Sequence, residues 1–234
     1  MTDIHSHLLF GVDDGAKTLE ESLSILSDME REGYKNIILT PHYIKGSKYN
    51  STKIENKKRL EILKSACKVH NININLYLGN EIYIDENIYE MLKNDEISSL
   101  NNSKYLLIEI PLSGIYDDYK DIFLFLINKG YKIILAHPER YVTFQEDFER
   151  VMELSKMGVY FQSNLDSLTG KYGEAAKKTI KKMLKRKKVA FLATDVHHKH
   201  RDYKWAEARK IALKYLTTSE LDILINKNPS QLVD

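Results

Sequence analysis

The feature that most constrains the fold is an alternation repeated along the whole chain, a short β-rich run followed by an amphipathic stretch of helical period. The β-rich runs fall at residues 2–5, 36–40, 75–79, 105–110, 132–136, 159–162 and 189–194, and the helical stretches near 19–32, 53–69, 119–129, 148–156, 172–185 and 204–215. Strand followed by helix, about seven times, is the pattern of a parallel sheet with crossover helices. No repeat, low-complexity tract or Pro/Gly/Ser linker interrupts it. At roughly 30 residues per unit, the expectation is one α/β domain over residues 1–234, resembling a (β/α) barrel. Thr18 with Glu21 and Thr52 with Glu55 have capping-box spacing at the starts of the first two helices. Residues 82–103 read as a short helix and loop insertion.

Composition narrows the function classes. A chain of 234 residues can bury a core without a disulfide or a structural metal. Its 35 basic and 33 acidic residues leave a net charge of +2, which argues against dedicated nucleic-acid binding. No transmembrane segment is expected, because no apolar run approaches the roughly 20 residues a span needs. The first residues lack the basic and apolar regions of a secretory signal. The one cysteine, Cys67, cannot form an internal disulfide, so a reducing cytoplasm is the expected compartment.

The chemistry collects where the β-rich runs end. Asp3-Ile4-His5-Ser6-His7 closes the first run. Residues two apart on a strand face the same side, so His5 and His7 can converge on one metal ion. Neutral imidazole suits Mn, Fe or Zn. Thr40-Pro41-His42 ends the second run, Gly79-Asn80-Glu81 the third, and Glu109 sits inside the apolar fourth. His137 follows the fifth, and Asp195 and His197 follow the last. In parallel α/β architectures these strand ends share one rim, where active sites are built. Burying an unpaired carboxylate costs on the order of several kcal/mol, so Glu109 needs a cation or a hydrogen-bonding partner, and a buried arginine would also serve. Together, so many nitrogen and oxygen donors exceed what one tetrahedral zinc can use. A cluster of two or three divalent ions is the expectation.

Asp3-Ile4-His5-Ser6-His7, Gly11-Val12-Asp13-Asp14-Gly15-Ala16, Thr40-Pro41-His42, Gly79-Asn80-Glu81, Leu107-Ile108-Glu109, His137-Pro138-Glu139-Arg140 and Thr194-Asp195-Val196-His197 occur in this order. The set resembles the polymerase-and-histidinol-phosphatase (PHP) superfamily. More narrowly, it resembles the manganese-dependent tyrosine-protein phosphatases of bacterial capsule and exopolysaccharide operons. The likeness runs from the first residue to about residue 215. The Gly-Val-Asp-Asp-Gly-Ala block and His-Pro-Glu-Arg favour this branch over the histidinol phosphatases. The resemblance implies a PHP fold, a distorted (β/α)7 barrel resembling a TIM barrel, with a trinuclear site. It implies Mn2+ as cofactor, with Fe or Zn as alternatives. The first ion would be held by His5, His7, Glu81 and Asp195. The second would share Glu81 and add Glu109 and His137, and the third would use Asp14, His42 and His197. Spacing does not separate Asp13 from Asp14, and Asp14 is the expected ligand. The implied partner is a phosphotyrosine protein, the tyrosine-rich tail of a polysaccharide-synthesis tyrosine kinase. A small-molecule phosphatase acting on histidinol phosphate is the alternative. A non-catalytic scaffold for phosphorylated tails and a proofreading exonuclease rank below both.

Clustered divalent ions lower the pKa of a bridging water, so hydroxide attack on phosphorus is the expected chemistry. Arg140 is expected to grip the phosphate by its bidentate fork, a salt bridge to Glu139 or a helix carboxylate being its other reading. Arg201 is the second candidate, because the branch resembled carries an arginine shortly after its Asp-x-His motif. The sequence departs from that pattern there: Thr194 stands for a frequent serine, and His198 and His200 follow. Tyr43 and Tyr141, each close after an expected ligand, could stack on a phosphotyrosine ring. A thiolate mechanism is excluded, since Cys67 sits in a helical stretch with no phosphate-cradling loop closed by an arginine. Residues 177–188 form the most basic segment, with Ala176, Ile180, Met183 and Leu184 spaced for one packed face. That segment reads as a solvated surface helix, or as a docking patch for an acidic tail or the membrane-proximal surface of a kinase.

Overall fold

The computed structural model describes residues 1–113, 119–198 and 203–233, so Arg201 lies outside the described residues. The strands are β1 (Thr2–Asp3), β2 (Asn36–Leu39), β3 (His42–Tyr43), β4 (Asn75–Leu78), β5 (Glu81–Tyr83), β6 (Tyr105–Glu109), β7 (Lys132–Ala136), β8 (Tyr160–Asn164) and β9 (Phe191–Ala193). The helices are α1 (Leu19–Arg31), α2 (Lys53–Val69), α3 (Ile88–Lys93), α4 (Tyr119–Asn128), α5 (Val142–Glu146), α6 (Glu149–Lys156), α7 (Gly173–Lys185), α8 (Trp205–Ala212), α9 (Thr218–Asp222) and α10 (Asn228–Ser230). Every strand pairing is parallel, in two sheets ordered β1-β2-β4 and β3-β5-β6-β7-β8-β9.

The two sheets are one ladder with two breaks. β2 and β3 are a single pass of chain interrupted at Thr40-Pro41, where proline has no N–H to give. β4 and β5 are another, interrupted at Gly79-Asn80. Hydrogen bonds carry the ladder across: Thr40 N–H donates to Ser6 O (2.8 Å), Gly79 N–H to Leu39 O (2.8 Å) and Glu81 N–H to Pro41 O (3.2 Å). The last pass returns to the first. Asp195 N–H donates to His5 O (2.9 Å) and His7 N–H to Val196 O (2.8 Å), with Ser6 and Val196 bridged in parallel. Seven parallel passes therefore follow one another in a distorted (β/α)7 barrel of TIM-like connectivity.

Several expectations are corrected. The second run splits in two, and β5 begins the segment read as helix and loop. The short helices α5, α9 and α10 were not expected, being too brief to show a helical period. Thr18 caps α1 by accepting from Glu21 N–H, but the Glu21 carboxylate accepts from Lys17 N–H instead of closing the box. At α2 both halves of the Thr52–Glu55 box are present.

Packing follows the periodicities. On α7 the residues Ala176, Ile180, Met183 and Leu184 are buried, as their spacing predicts. Ile4, Ile38, Leu107, Ile134, Ala136, Phe191 and Ala193 form a compact apolar cluster. Leu107 in this cluster and Glu109 share a face of β6, so apolar packing lies one step below the polar rim. A larger apolar cluster fills the space between β5–β9 and their helices, and another lies under α1 and α2. Among the described residues no helix is long and apolar enough to cross a membrane.

Candidate metal centre

The strand ends bring His5, His7, Asp14, His42, Glu81, Glu109, His137, Asp195 and His197 into one cluster. His5 Nε2 and His7 Nε2 lie 3.1 Å apart. Glu81 Oε2 is 3.3 Å from each of them, and Asp195 Oδ1 is 3.4 and 3.5 Å away. His137 Nε2 stands 2.9 Å from Glu81 Oε1 and 3.7 Å from Glu109 Oε1. On the other side Asp14 Oδ1 is 3.5 Å from His42 Nε2 and 3.6 Å from His197 Nε2. Potential ligand atoms lie within 4.8 Å of one another in four groups: His7, Asp14, His42 and His197; His5, His7 and Glu81; His5, His137 and Asp195; His42, Glu81 and Glu109. His5, His7 and His42 each join two groups, whereas the resemblance implied one ion for each.

The two neighbouring aspartates divide the work. Asp14 turns an oxygen to His42 and His197, with its side chain 41% exposed at the mouth of the cluster. Asp13 is buried behind the histidines. Its Oδ2 meets His7 Nδ1 (2.8 Å) and accepts from His42 N–H (3.0 Å), and its Oδ1 accepts from Gly15 N–H (2.8 Å). Gly15 is required by close approach, since a Cβ there would lie 2.0 Å from His7 O.

Sequence reasoning missed the residues that aim the histidines. Gln162 Oε1 lies 2.8 Å from His5 Nδ1 and accepts from His137 N–H (3.4 Å), while Gln162 Nε2 donates to Asn164 Oδ1 (2.8 Å). Asn164 Nδ2 donates to Asp195 Oδ2 (2.6 Å). The sixth pass of the barrel, β8, thus delivers amides where the other six deliver imidazole or carboxylate. A buried strand reading Gln162-Ser163-Asn164 was the available signal. These bonds select tautomers. A carbonyl can only accept, so the proton of His5 sits on Nδ1 and leaves Nε2 bare toward the cluster. The same logic applies to His7 through Asp13, and to His197, whose Nδ1 lies 3.0 Å from Asp195 O. His137 and Asp195 hold left-handed backbone, at φ 32° and 51°. For side chains other than glycine that conformation costs about 1 kcal/mol or more each, and such strain concentrates at functional sites.

The electrostatics show a shortage of positive charge. Burial opposes a charge on His5, yet Glu81 and Asp195 outweigh it and lift the ring to about 9. Against the same burial, Asp13 and its hydrogen bond carry His7 well above 6.5. Glu81 and Asp195 resist burial because His5 and the other rings hold both well below the usual carboxylate range. Glu109 goes the other way, pushed up to about 8 by burial and by the charge of Glu81. Burial and Arg140 bring His137 down to about 4, and burial and His7 bring His197 down to about 3. Two adjacent imidazoles drawn toward protonation contradict tautomers that turn bare nitrogens inward. Divalent cations would resolve the conflict by supplying the charge while leaving those lone pairs free to ligate. The orphaned atoms agree: among the described residues Asp14 Oδ1, His42 Nδ1, Glu81 Oε2 and His137 Nδ1 are buried without a hydrogen-bond partner. His42 Nδ1 and Glu81 Oε2 approach to 2.9 Å outside hydrogen-bonding geometry. The donor set fits divalent metal ions.

Arg140 stands at the edge of this cluster. Its Nη1 donates to Asp195 Oδ2 (3.0 Å), its guanidinium lies 4.6 Å over the Tyr172 ring, and its side chain is 23% exposed. Neither alternative pairing applies, for Glu139 is buried and accepts from Asn164 N–H and Ser167 Oγ instead. The two tyrosines expected to stack on substrate are corrected. Tyr141 is fully buried, with its hydroxyl accepting from Ile110 N–H, and Tyr43 is buried with its hydroxyl directed to Glu96. Cys67 is buried in α2, within the apolar cluster under α1 and α2.

The family described as "Capsular polysaccharide synthesis, CpsB/CapC" matches residues 1–234. CapC of Staphylococcus aureus is 37% identical over 198 residues, covering 84% of this chain and 77% of that protein. The tyrosine-protein phosphatase CpsB of Streptococcus agalactiae serotype III is 34% identical over 203 residues, covering 85% of this chain and 83% of that protein. Among solved structures, a chain from the crystal structures of YwqE from Bacillus subtilis and CpsB from Streptococcus pneumoniae matches with a TM-score of 0.88 and 28% identity, covering 100% of this chain and 91% of that one. Those two proteins are described as metal-dependent tyrosine phosphatases.

Proposed function

This chain belongs to the CpsB/CapC family and is a metal-dependent tyrosine-protein phosphatase of that type; we propose that its substrate is the tyrosine-rich tail of a bacterial polysaccharide-synthesis kinase, that Mn2+ is its metal, and that residues 1–234 act as one domain in the cytoplasm. The observation that carries the metal reading is the convergence of bare imidazole nitrogens and orphaned carboxylate oxygens on one rim. In this reading His5, His7, Glu81 and Asp195 hold one ion, Glu81, Glu109 and His137 a second, and Asp14, His42 and His197 a third. When bound, divalent ions supply a water of lowered pKa and neutralise charge on the phosphoryl oxygens.

The chain's own residues supply the rest. Gln162 and Asp13 fix the ring orientations, and Asn164 fixes Asp195. Arg140, braced by Asp195 and Tyr172, grips the phosphoryl oxygens from the mouth by a planar fork. Arg201 is the second cation assigned to that task. A phenolate leaves more readily than an alkoxide, so the site needs no strong general acid. Oxygen-rich ligation favours Mn2+ over zinc, and the single buried thiol suits a reducing compartment.

The test is steady-state hydrolysis of a phosphotyrosine peptide and of histidinol phosphate, by protein stripped of metal and resupplied with Mn2+. Mn2+-dependent turnover of the peptide with little on histidinol phosphate is expected, and the reverse preference moves the activity to small molecules. His137→Ala and Asp195→Asn each abolish turnover in this reading. Unchanged activity in both variants sinks the site assignment.

A further inference from the structure

Helix α7 and the three residues after it carry a charge pattern that packing explains only in part, through Lys182 over the Phe148 ring at 4.2 Å and Lys181 and Lys185 beside the Tyr215 ring at 5.9 and 5.6 Å. Lys177, Lys178, Lys181, Lys182, Lys185, Arg186, Lys187 and Lys188 place eight cations in twelve residues with no acid among them, in a chain whose net charge is +2. The buried face of α7 is made by other residues, and Lys178, Lys182, Lys185 and Arg186 are exposed. Lys177, Lys181 and Lys185 form one row at four-residue spacing, and Lys178, Lys182 and Arg186 form another. Like charges at that spacing weaken a helix. The equally lysine-rich α2 breaks its cations with Glu55 and Glu61, which α7 does not do. The acids that reach the segment sit at its ends, Glu174 beside Lys177 at 3.3 Å and Glu220 beside Lys187 at 3.1 Å. Exposed pairs of this kind neutralise little.

The basic rows start at the metal cluster. Tyr172, immediately before α7, lies under the Arg140 guanidinium that bonds Asp195. Lys171, 5.9 Å from the Tyr172 ring, is paired with the buried Asp166 at 2.6 Å and adds little free charge to the line. Because α7 follows the rim end of β8, its first turn lies at the rim and its axis leads away from it. Its 13 residues extend about 18 Å, a distance that an extended peptide covers in about six residues.

We propose that the exposed face of α7 is a docking surface for an acidic segment lying within about six residues of the substrate's phosphotyrosine. This deepens the phosphatase reading and rests on it. The surface acts by charge complementarity, drawing an anionic segment along the cationic rows while Arg140 meets the phosphate.

The test compares the native protein with the triple variants Lys178→Gln/Lys182→Gln/Arg186→Gln and Lys178→Glu/Lys182→Glu/Arg186→Glu. Three substrates are used: a phosphotyrosine peptide flanked by Asp and Glu, the same peptide with Asn and Gln, and para-nitrophenyl phosphate. The native protein is expected to favour the acidic peptide by roughly tenfold in kcat/KM at low salt, with the preference eroding as salt rises. The Gln variant removes most of that preference and the Glu variant reverses it, while both hydrolyse para-nitrophenyl phosphate as the native protein does. Should the Glu variant lose that small-substrate turnover through misfolding, the Gln variant decides alone. Equal kcat/KM for the two peptides in native protein, or a preference that survives in the Gln variant, overturns the docking surface and leaves the phosphatase reading standing. Failure to hydrolyse either phosphotyrosine peptide overturns that reading, and the docking surface with it. Binding of native protein to phosphatidylserine vesicles, lost in the Gln variant with the peptide preference intact, assigns the face to a membrane and also overturns the proposal.

Discussion

Gln162 makes one amide serve two purposes, holding the His5 ring by its Nδ1 and the left-handed backbone of His137 by its N–H. Gln162→Leu keeps the volume and removes both bonds, together with the one its Nε2 donates to Asn164 Oδ1. Outer partners of this kind typically contribute 10–100-fold to metal affinity, so a loss of roughly that size is expected in a Mn2+ titration of activity. An unchanged titration would show that packing alone orients the rings. Cys67 supplies an independent check on the core. Burial, with Glu30 nearby, pushes its thiol up to about 11, so at pH 8 only on the order of one molecule in a thousand carries the thiolate. Iodoacetamide should label it slowly in folded protein and rapidly in urea, and fast labelling without denaturant contradicts the packing of α2. At this scale the legible residues were those with a ligand signature. Imidazoles and carboxylates at the ends of apolar runs stand out in a sequence. Gln162 and Asn164 do not, because an amide can equally cap a turn or face water, and only the fold shows that these two face His5 and Asp195.

Elements were legible wherever their period ran long enough to repeat. α1, α2 and α7 each span three turns or more, and their boundaries follow from capping threonines in the first two and from apolar spacing in all three. The breaks at Thr40-Pro41 and Gly79-Asn80 were not legible as breaks, since two- and three-residue strands carry no alternation to count. They matter because each turns the chain where a member of the cluster stands next, His42 after the first and Glu81 after the second. The completed box at Thr52 also gives a measurable contribution. Thr52→Ala should cost about 1 kcal/mol, read as a lower urea midpoint with an unchanged slope, and leave turnover intact. A loss of activity would tie the start of α2 to the mouth of the site.

For the whole molecule, the candidate metal centre is a charge problem set at the rim of the barrel. Asp13, Glu81 and Asp195 are buried there, with Glu109 largely so, against histidines that only partly compensate them. Ions that bind the folded state and not the unfolded one raise its stability by about 2.7 kcal/mol at a hundred times Kd. For a chain of this length, chelation should therefore lower Tm by roughly 5–10 °C, and Mn2+ should restore it. Scanning calorimetry decides the point, and an identical Tm with and without chelator would mean that the protein balances this charge itself.

The seam between the first and last passes of the barrel has a temporal consequence. Asp3 accepts from the Thr194 N–H and hydroxyl across 191 residues of sequence, with His5 two residues after the one and Asp195 directly after the other. A nascent chain emerging from the ribosome therefore displays the histidine pair early but cannot finish the cluster until almost all of its length has been synthesised. Closure of so long a loop comes late in folding. Partly made chains are thus poor scavengers of metal, and loading waits for the barrel to meet its own beginning.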